Sequence, residues 1–314
     1  MKKVVLACDL GGTNLRMAAV DADGAILHRT KRDTPKSDRA DEVVRTLVES
    51  ARECTDAVAA TAEIIALAAA VPATVNVGKG VLMKAPNLPS LDGFRFVAAV
   101  QSELGIRTII ENDATSAALG EAWLGASKGF DNSIMVTLGT GVGGGIIING
   151  QPLRGPDGTA GEIGHICVEP FGAPCGCGAR GCVEQYSSAT AVVRLTRELE
   201  SQYVKSELQN RSRLTSLDVF EAGKNGDELA LEVFRQMGFY LGIALADLVN
   251  VLNPEIIVIG GGAAAGWELF VEYVRDQIRD RAFREPAIRA EVVRAVLGDD
   301  AGILGAARLA HGLV

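Results

Sequence analysis

Residues 133–149 read SIMVTLGTGVGGGIIIN, and residues 4–21 read VVLACDLGGTNLRMAAVD. Each is an apolar run, a glycine-rich turn and a second run, the pattern of two strands joined by a tight hairpin. In the N-terminal copy ADG turns once more into AILHRT. A helical pattern follows from about Asp41 to Ala62, then the apolar strand IIALAAAV. The second copy is followed by helical segments and, from Glu255, by the apolar strand EIIVIGGG. The same β-meander with crossing helices, met twice, predicts two α/β halves. The expected seam lies near 116, giving a smaller N-terminal lobe over 1–116 and a larger C-terminal lobe over 117–298. The closing stretch 299–314, DDAGILGAARLAHGLV, offers an Asp cap and apolar positions Ile303, Leu304, Ala307 and Leu313. It is expected to form a helix that packs back on the N-terminal lobe.

Composition narrows the function classes. The chain has 314 residues, 48% apolar, 22% charged and 5% aromatic, as in a soluble α/β protein large enough for two cores. A net charge of −8 argues against a nucleic-acid partner, because a polyanion calls for a basic face. Small anions remain open, since backbone N–H groups and a metal ion can hold them without lysines. At the N-terminus the apolar run covers only Val4 to Ala7, too short for an export signal. No apolar run suggests a membrane span. The expected location is the cytoplasm, where cysteines serve metal binding or catalysis more often than disulfides.

The 36 glycines cluster. Gly11-Gly12-Thr13, Gly139-Thr140-Gly141 and Gly260-Gly261-Gly262 each follow an apolar strand, where bare backbone can approach a phosphate and the Thr hydroxyls add donors. A plain hairpin turn explains any one of them; three together, with Asp9 before the first, favour phosphate binding. There is no P-loop. TGVGGG leads into a strand rather than a helix, which argues against a dinucleotide fingerprint. In TIIENDATSAALGEAW, Asp113 stands at the joint of a strand and a helix, either as the helix cap or as a base facing a cleft between the halves. Asn87, in the Pro-bracketed KAPNLPS, has a donor and an acceptor to offer a polyol.

Cys175, Cys177 and Cys182 form CxCx4C, with His165 ten residues ahead of the first. Cys3His is a tetrahedral zinc set, and with every position filled by protein the zinc is structural. A redox pair would be CxxC, which is absent. Cys8, Cys54 and Cys167 read as small hydrophobes.

Together these segments resemble the sugar kinases of the ROK family (repressors, uncharacterised reading frames and kinases), especially its bacterial glucokinases. The resemblance runs through DLGGTN (9–14), PNL (86–88), END (111–113), LGTGVGGG (138–145), GEIGH (161–165), CGCGARGCVE (175–184) and NPEIIVIGGG (253–262). It implies the two-lobed actin-like ATPase (ribonuclease H-like) fold and ATP-dependent phosphorylation of a hexose, glucose first, at its 6-hydroxyl with Mg²⁺. The resemblance makes Asp113 the base and gives the sugar to Asn87, Asn112, Asp113, Glu162, His165 and Glu184. It gives ATP to Asp9, Gly11, Gly12, Thr13, Gly139, Thr140, Gly141, Gly261 and Gly262. His165 would then ligate zinc through one ring nitrogen and face the sugar with the other. A homodimer is implied as well. Two positions depart from the family pattern: VPAT puts Ala73 where a glycine is common, and PNLPSLDGF lacks a tryptophan. N-acetylmannosamine, fructose, allose and N-acetylglucosamine are the alternative substrates. A sugar-responsive repressor is the rival class; such repressors add an N-terminal helix-turn-helix, for which a first strand at Val4 leaves no room.

Overall fold

The computed structural model describes residues 1–313. In chain order the first elements are β1 (Lys2–Leu10), β2 (Asn14–Asp21), β3 (Ile26–Asp33), α1 (Ala40–Val58), β4 (Ala62–Val71), β5 (Thr74–Asn76) and β6 (Val81–Lys84). Then come α2 (Phe96–Leu104), β7 (Arg107–Asn112), α3 (Asp113–Leu124), β8 (Ser133–Leu138), β9 (Val142–Ile148) and β10 (Gln151–Pro152). The remainder is α4 (Glu184–Ser187), α5 (Ala189–Leu199), α6 (Ser216–Lys224), α7 (Glu228–Leu252), β11 (Ile256–Gly260), α8 (Trp267–Arg281), α9 (Arg284–Arg289), β12 (Glu291–Arg294) and α10 (Ala301–His311). Two five-stranded sheets result, ordered β3-β2-β1-β4-β7 and β10-β9-β8-β11-β12. Each contains one meander and its parallel partners, as the repeated sequence pattern predicts.

The chain divides into two compact units, one of residues 1–129, 145–161 and 297–314, the other of 130–144 and 162–296. The division falls after α3 rather than near 116, and the reason lies in how α3 packs. A Cβ on Gly305 of α10 would overlap the Ser116 carbonyl, and one on Gly120 would overlap that of Ala301. Such close approach ties α3 to α10 inside the first unit.

Strand alternation builds two cores in that unit. Val4, Leu6, Cys8 and Leu10 of β1 point to one face, with Leu67, Ala69 and Val71 of β4, and meet α1 through Val43, Leu47 and Ala51. Val5, Ala7, Ala66, Ala68 and Ala70 point to the other, where Ile303, Leu304, Ala307 and Ala310 of α10 cover them. The small residues on this second face leave room for a helix to lie close. Asp300 does not cap α10; its carboxylate forks onto Arg29 at 3.1 and 3.2 Å, and its own backbone is already helical. In the second unit α7, 25 residues long, reaches the length and hydropathy of a membrane span, unlike the expectation from sequence. Its most apolar window is 61% buried, the pattern of a core helix.

Candidate functional site

Register fixes the first cluster. β1, β4 and β7 run parallel, with Asp9 opposite Ala70 and Ala70 opposite Glu111, so their carboxyl ends form one row. Ligands of open α/β sheets gather beyond such ends. The first glycine turn leaves β1 there: the Gly11 N–H donates to the Asn14 carbonyl at 2.8 Å, and the Thr34 hydroxyl donates to the Gly11 carbonyl at 2.7 Å. A Cβ on Gly12 would stand 3.1 Å from the Asn87 Cβ, so Asn87 lies against this turn. Asp9 faces Arg16 at 3.8 Å. Burial raises the Asp9 carboxyl above the ordinary value, Arg16 pulls it back, and Asp299 pushes it up again.

At the end of β7 the structure decides the question of the cap. Asn112, not Asp113, is the N-cap of α3: its Oδ1 accepts from the Thr115 N–H at 3.0 Å. Its Nδ2 donates to the Ala73 carbonyl at 3.2 Å. Asp113 is the first helical residue, where the N-terminal dipole favours a negative charge. The Ala114 N–H donates to its Oδ1 at 2.9 Å. Glu111, buried, accepts from Arg154 Nε at 2.7 Å. Forty-three positions separate that pair, and no local pattern signals it.

The second unit holds the other residues. Gly260 of β11 pairs with Thr137 of β8, which brings Gly261 and Gly262 to the same end as the Gly139–Gly141 turn. α5 braces that turn from behind: the Ala189 N–H donates to the Gly139 carbonyl and the Thr190 hydroxyl to the Thr140 carbonyl, both at 2.8 Å. Beside Gly262 lies a small cavity with Val192, Leu217, Phe220 and Phe234 in its lining. Sequence reasoning missed it, because its walls come from three helices that are remote in the chain. A roomier cavity of about 770 Å³ by α8, α9 and β12, with Arg275, Arg279 and Arg284 in its wall, contains none of the expected site residues.

Gly141 is bare for a reason the sequence does not show. A Cβ there would overlap the Glu184 carboxylate, whose Oε2 accepts from the Val142 N–H at 3.1 Å. The glycine turn thus seats a carboxylate of the cysteine loop. Glu162 and His165 flank and form a short 3-10 turn and are exposed.

The ligand atoms of His165, Cys175, Cys177 and Cys182 all lie within 4.8 Å of one another. Cys175 Sγ is 3.7 Å from His165 Nδ1, and Cys177 Sγ is 3.7 Å from Cys182 Sγ. At a Zn–S distance of about 2.3 Å, tetrahedral thiolates stand about 3.8 Å apart, so this donor set has the chemistry and size for zinc. The Cys175 N–H bonds to the Ala179 carbonyl at 2.9 Å and the Gly178 N–H to the Cys175 carbonyl at 3.0 Å, closing the loop round the thiols. Gln185 Nε2 donates to Cys175 Sγ at 3.6 Å, a contact from outside the cluster of the kind that orients a ligand. Cys8 and Cys54 are buried as expected, but Cys167 is exposed. It lies on the strand-like segment entering the loop, where one side faces out.

The meander-and-crossover sheets, with glycine turns at the strand ends, define an actin-like two-lobed α/β protein of the sugar-kinase class. The chain belongs to the ROK family, whose model matches residues 5–312. It is 37% identical to a glucokinase of Halalkalibacterium halodurans over 95% of this chain and 92% of that one. A ROK glucokinase of Streptomyces griseus, solved with glucose and AMPPNP, superposes with a TM-score of 0.81 at 32% identity, covering 98% and 99% of the two chains. A ROK transcriptional regulator, a homologue of the E. coli MLC protein, superposes at 0.89 with 28% identity, covering 98% of this chain and 77% of that one.

Proposed function

We infer that the chain is an ATP-dependent hexose kinase that phosphorylates glucose at its 6-hydroxyl. The observation that carries the reading is the match to a glucokinase over nearly the whole of both chains. Asp113 accepts the proton of the 6-hydroxyl. Phosphoryl transfer depends mostly on positioning and charge neutralisation, so the proton leaves late and an ordinary carboxylate suffices as its acceptor. That Asn112 carries the cap supports this role, because the structural duty at the joint falls on the neighbour. Asn87 and Asn112 in the first unit, and Glu162, His165 and Glu184 in the second, hydrogen-bond the sugar hydroxyls. Glu184, fixed by the Val142 N–H, keeps lone pairs for a sugar O–H. His165, with Nδ1 turned to Cys175, presents Nε2.

Gly11, Gly12 and Thr13 in the first unit, and Gly139, Thr140, Gly141, Gly261 and Gly262 in the second, hold the phosphates of ATP. The cavity beside Gly262, lined by Phe220 and Leu217, suits the flat adenine. Asp9 would help hold Mg²⁺, which supplies charge neutralisation on the phosphates. His165, Cys175, Cys177 and Cys182 hold a structural zinc that shapes the sugar-binding loop. The enzyme works in the cytoplasm, where ATP is, as a homodimer; light scattering would show a mass twice that of the chain.

ADP release measured against a hexose panel tests the reading. Glucose should give the highest kcat/KM. Preference for N-acetylmannosamine, fructose, allose or N-acetylglucosamine would move the substrate. No turnover of any hexose, with sugar binding intact, would favour a sugar-responsive regulator, the reading that the MLC homologue's likeness supports.

A further inference from the structure

Cys167 stands beside the thiol cluster but outside it, and it is exposed while Cys182 is fully buried. The two residues face each other in an isolated antiparallel bridge. Hydrogen bonds flank the pair on both sides: the Val168 N–H donates to the Gly181 carbonyl at 2.8 Å and the Val183 N–H to the Ile166 carbonyl at 2.9 Å. Cys167 and Cys182 are therefore a non-hydrogen-bonded pair. Such pairs bring the Cα atoms to about 4.5 Å, with both side chains on one face. A disulfide spans Cα separations of about 4.4–6.8 Å, so this pair can close with little movement of the backbone.

We propose that Cys167 and Cys182 are a modification site, forming a disulfide under a peroxide-class oxidant and thereby removing Cys182 from the zinc set. The proposal rests on the zinc reading above. The exposed Cys167 thiolate attacks a peroxide oxygen; the O–O bond breaks and leaves a sulfenic acid and hydroxide. The Cys182 sulfur then attacks the sulfenic sulfur, the S–S bond forms and the S–O bond breaks, releasing the second oxygen as water. Two thiols give up two electrons, peroxide is reduced to two waters, and the zinc ion keeps its charge. Only His165, Cys175 and Cys177 then remain as donors, and zinc leaves. Glu184, two residues beyond Cys182, loses the anchor before it, so oxidation switches off sugar binding.

The test uses the full zinc-loaded chain titrated with hydrogen peroxide, with a chromogenic zinc indicator and peptide mapping without reduction. The expected result is a Cys167–Cys182 cross-linked peptide, one zinc released per disulfide, and recovery with dithiothreitol and added zinc. Cys167→Ser should keep stoichiometric zinc and release it about tenfold more slowly, because the tethered thiol with its high effective concentration is gone. A disulfide found only among Cys175, Cys177 and Cys182, or zinc release from Cys167→Ser at the parent rate, overturns the proposal. If the purified chain binds no zinc at all, the zinc reading fails by itself. Peptide mapping then decides the pairing: the Cys167–Cys182 cross-link supports it and its absence overturns it.

Discussion

Asp113 and Glu184 are both carboxylates at the first position of a helix, α3 and α4, yet they are held in opposite ways. Asp113 comes at the end of a parallel strand, next to a cap whose side chain is tied both to the helix and to Ala73. Its place is set by a sheet. Glu184 follows a loop with little regular structure, two residues after Cys182 of the thiol cluster, and its carboxylate accepts from the Val142 N–H. The difference teaches where each of the two proposed roles is vulnerable. The proposed base at Asp113 should be indifferent to loss of the proposed zinc, whereas the proposed sugar contact at Glu184 should not.

The largest effect is expected at Asp113. Asp113→Asn keeps the shape and removes the proton acceptor, so kcat should fall by about 10²–10⁴-fold, the usual worth of a general base. Glucose affinity by calorimetry should change far less. Near-normal turnover would remove Asp113 as the base and, with it, one side of the comparison.

Next in size is the loop. Cys177→Ser leaves the metal short of a ligand, and ordering free chain costs roughly 1–2 kcal/mol per residue, so the loop should not hold its shape unaided. Stoichiometric zinc should vanish from metal analysis. Sugar should bind about 10- to 100-fold more weakly, as expected when a charged hydrogen bond of about 1.5–3 kcal/mol is lost. Nucleotide affinity should persist. Unchanged sugar affinity without zinc would break the claimed dependence of Glu184 on the loop.

A smaller effect separates two glycines of one turn. Gly139→Ala adds a Cβ with nothing within 4 Å, while Gly141→Ala drives one into the Glu184 carboxylate. Gly141→Ala should therefore weaken sugar binding by about tenfold, or about 1.4 kcal/mol. Gly139→Ala should leave sugar affinity alone and raise the KM for ATP. Unchanged sugar affinity in Gly141→Ala would mean that the seat this glycine gives Glu184 does not matter to the sugar.

This pair also marks the limit of what the sequence discloses. The two meanders, the glycine turns at strand ends and the CxCx4C cluster with its histidine were legible because strand period, turn chemistry and ligand spacing are local properties. What Gly141 accommodates was not, because Glu184 reaches it only through the folded loop. The same holds for Glu111 with Arg154, which meet only once the chain has folded because Arg154 lies in the loop after β10, and for Asp300, whose helix-cap signature was overridden by an arginine on β3. Cys167 was misread because an apolar context along the chain does not say which side of a strand faces out.

The smallest expected effect tests the joint where Asn112 and Asp113 are neighbours with different duties. Asn112→Ala removes the cap from Thr115 and the donor from the Ala73 carbonyl at once. Losing a cap of this kind costs about 1 kcal/mol, within a range of about 0.5–2. For a unit of this size that lowers Tm by about 2–4 °C. Asp113→Asn keeps an oxygen for the Ala114 N–H and removes a charge near the helix N-terminus, worth about 0.3–1 kcal/mol. Urea unfolding of the two variants should thus rank Asn112→Ala as the less stable, while the loss of kcat should rank them the other way round. Should Asp113→Asn prove the less stable of the two, Asp113 would be carrying the structural duty assigned to Asn112. A modest loss of kcat in Asn112→Ala, by contrast, is expected, because the change loosens the first turn of α3, which carries the proposed base, and removes a proposed sugar contact.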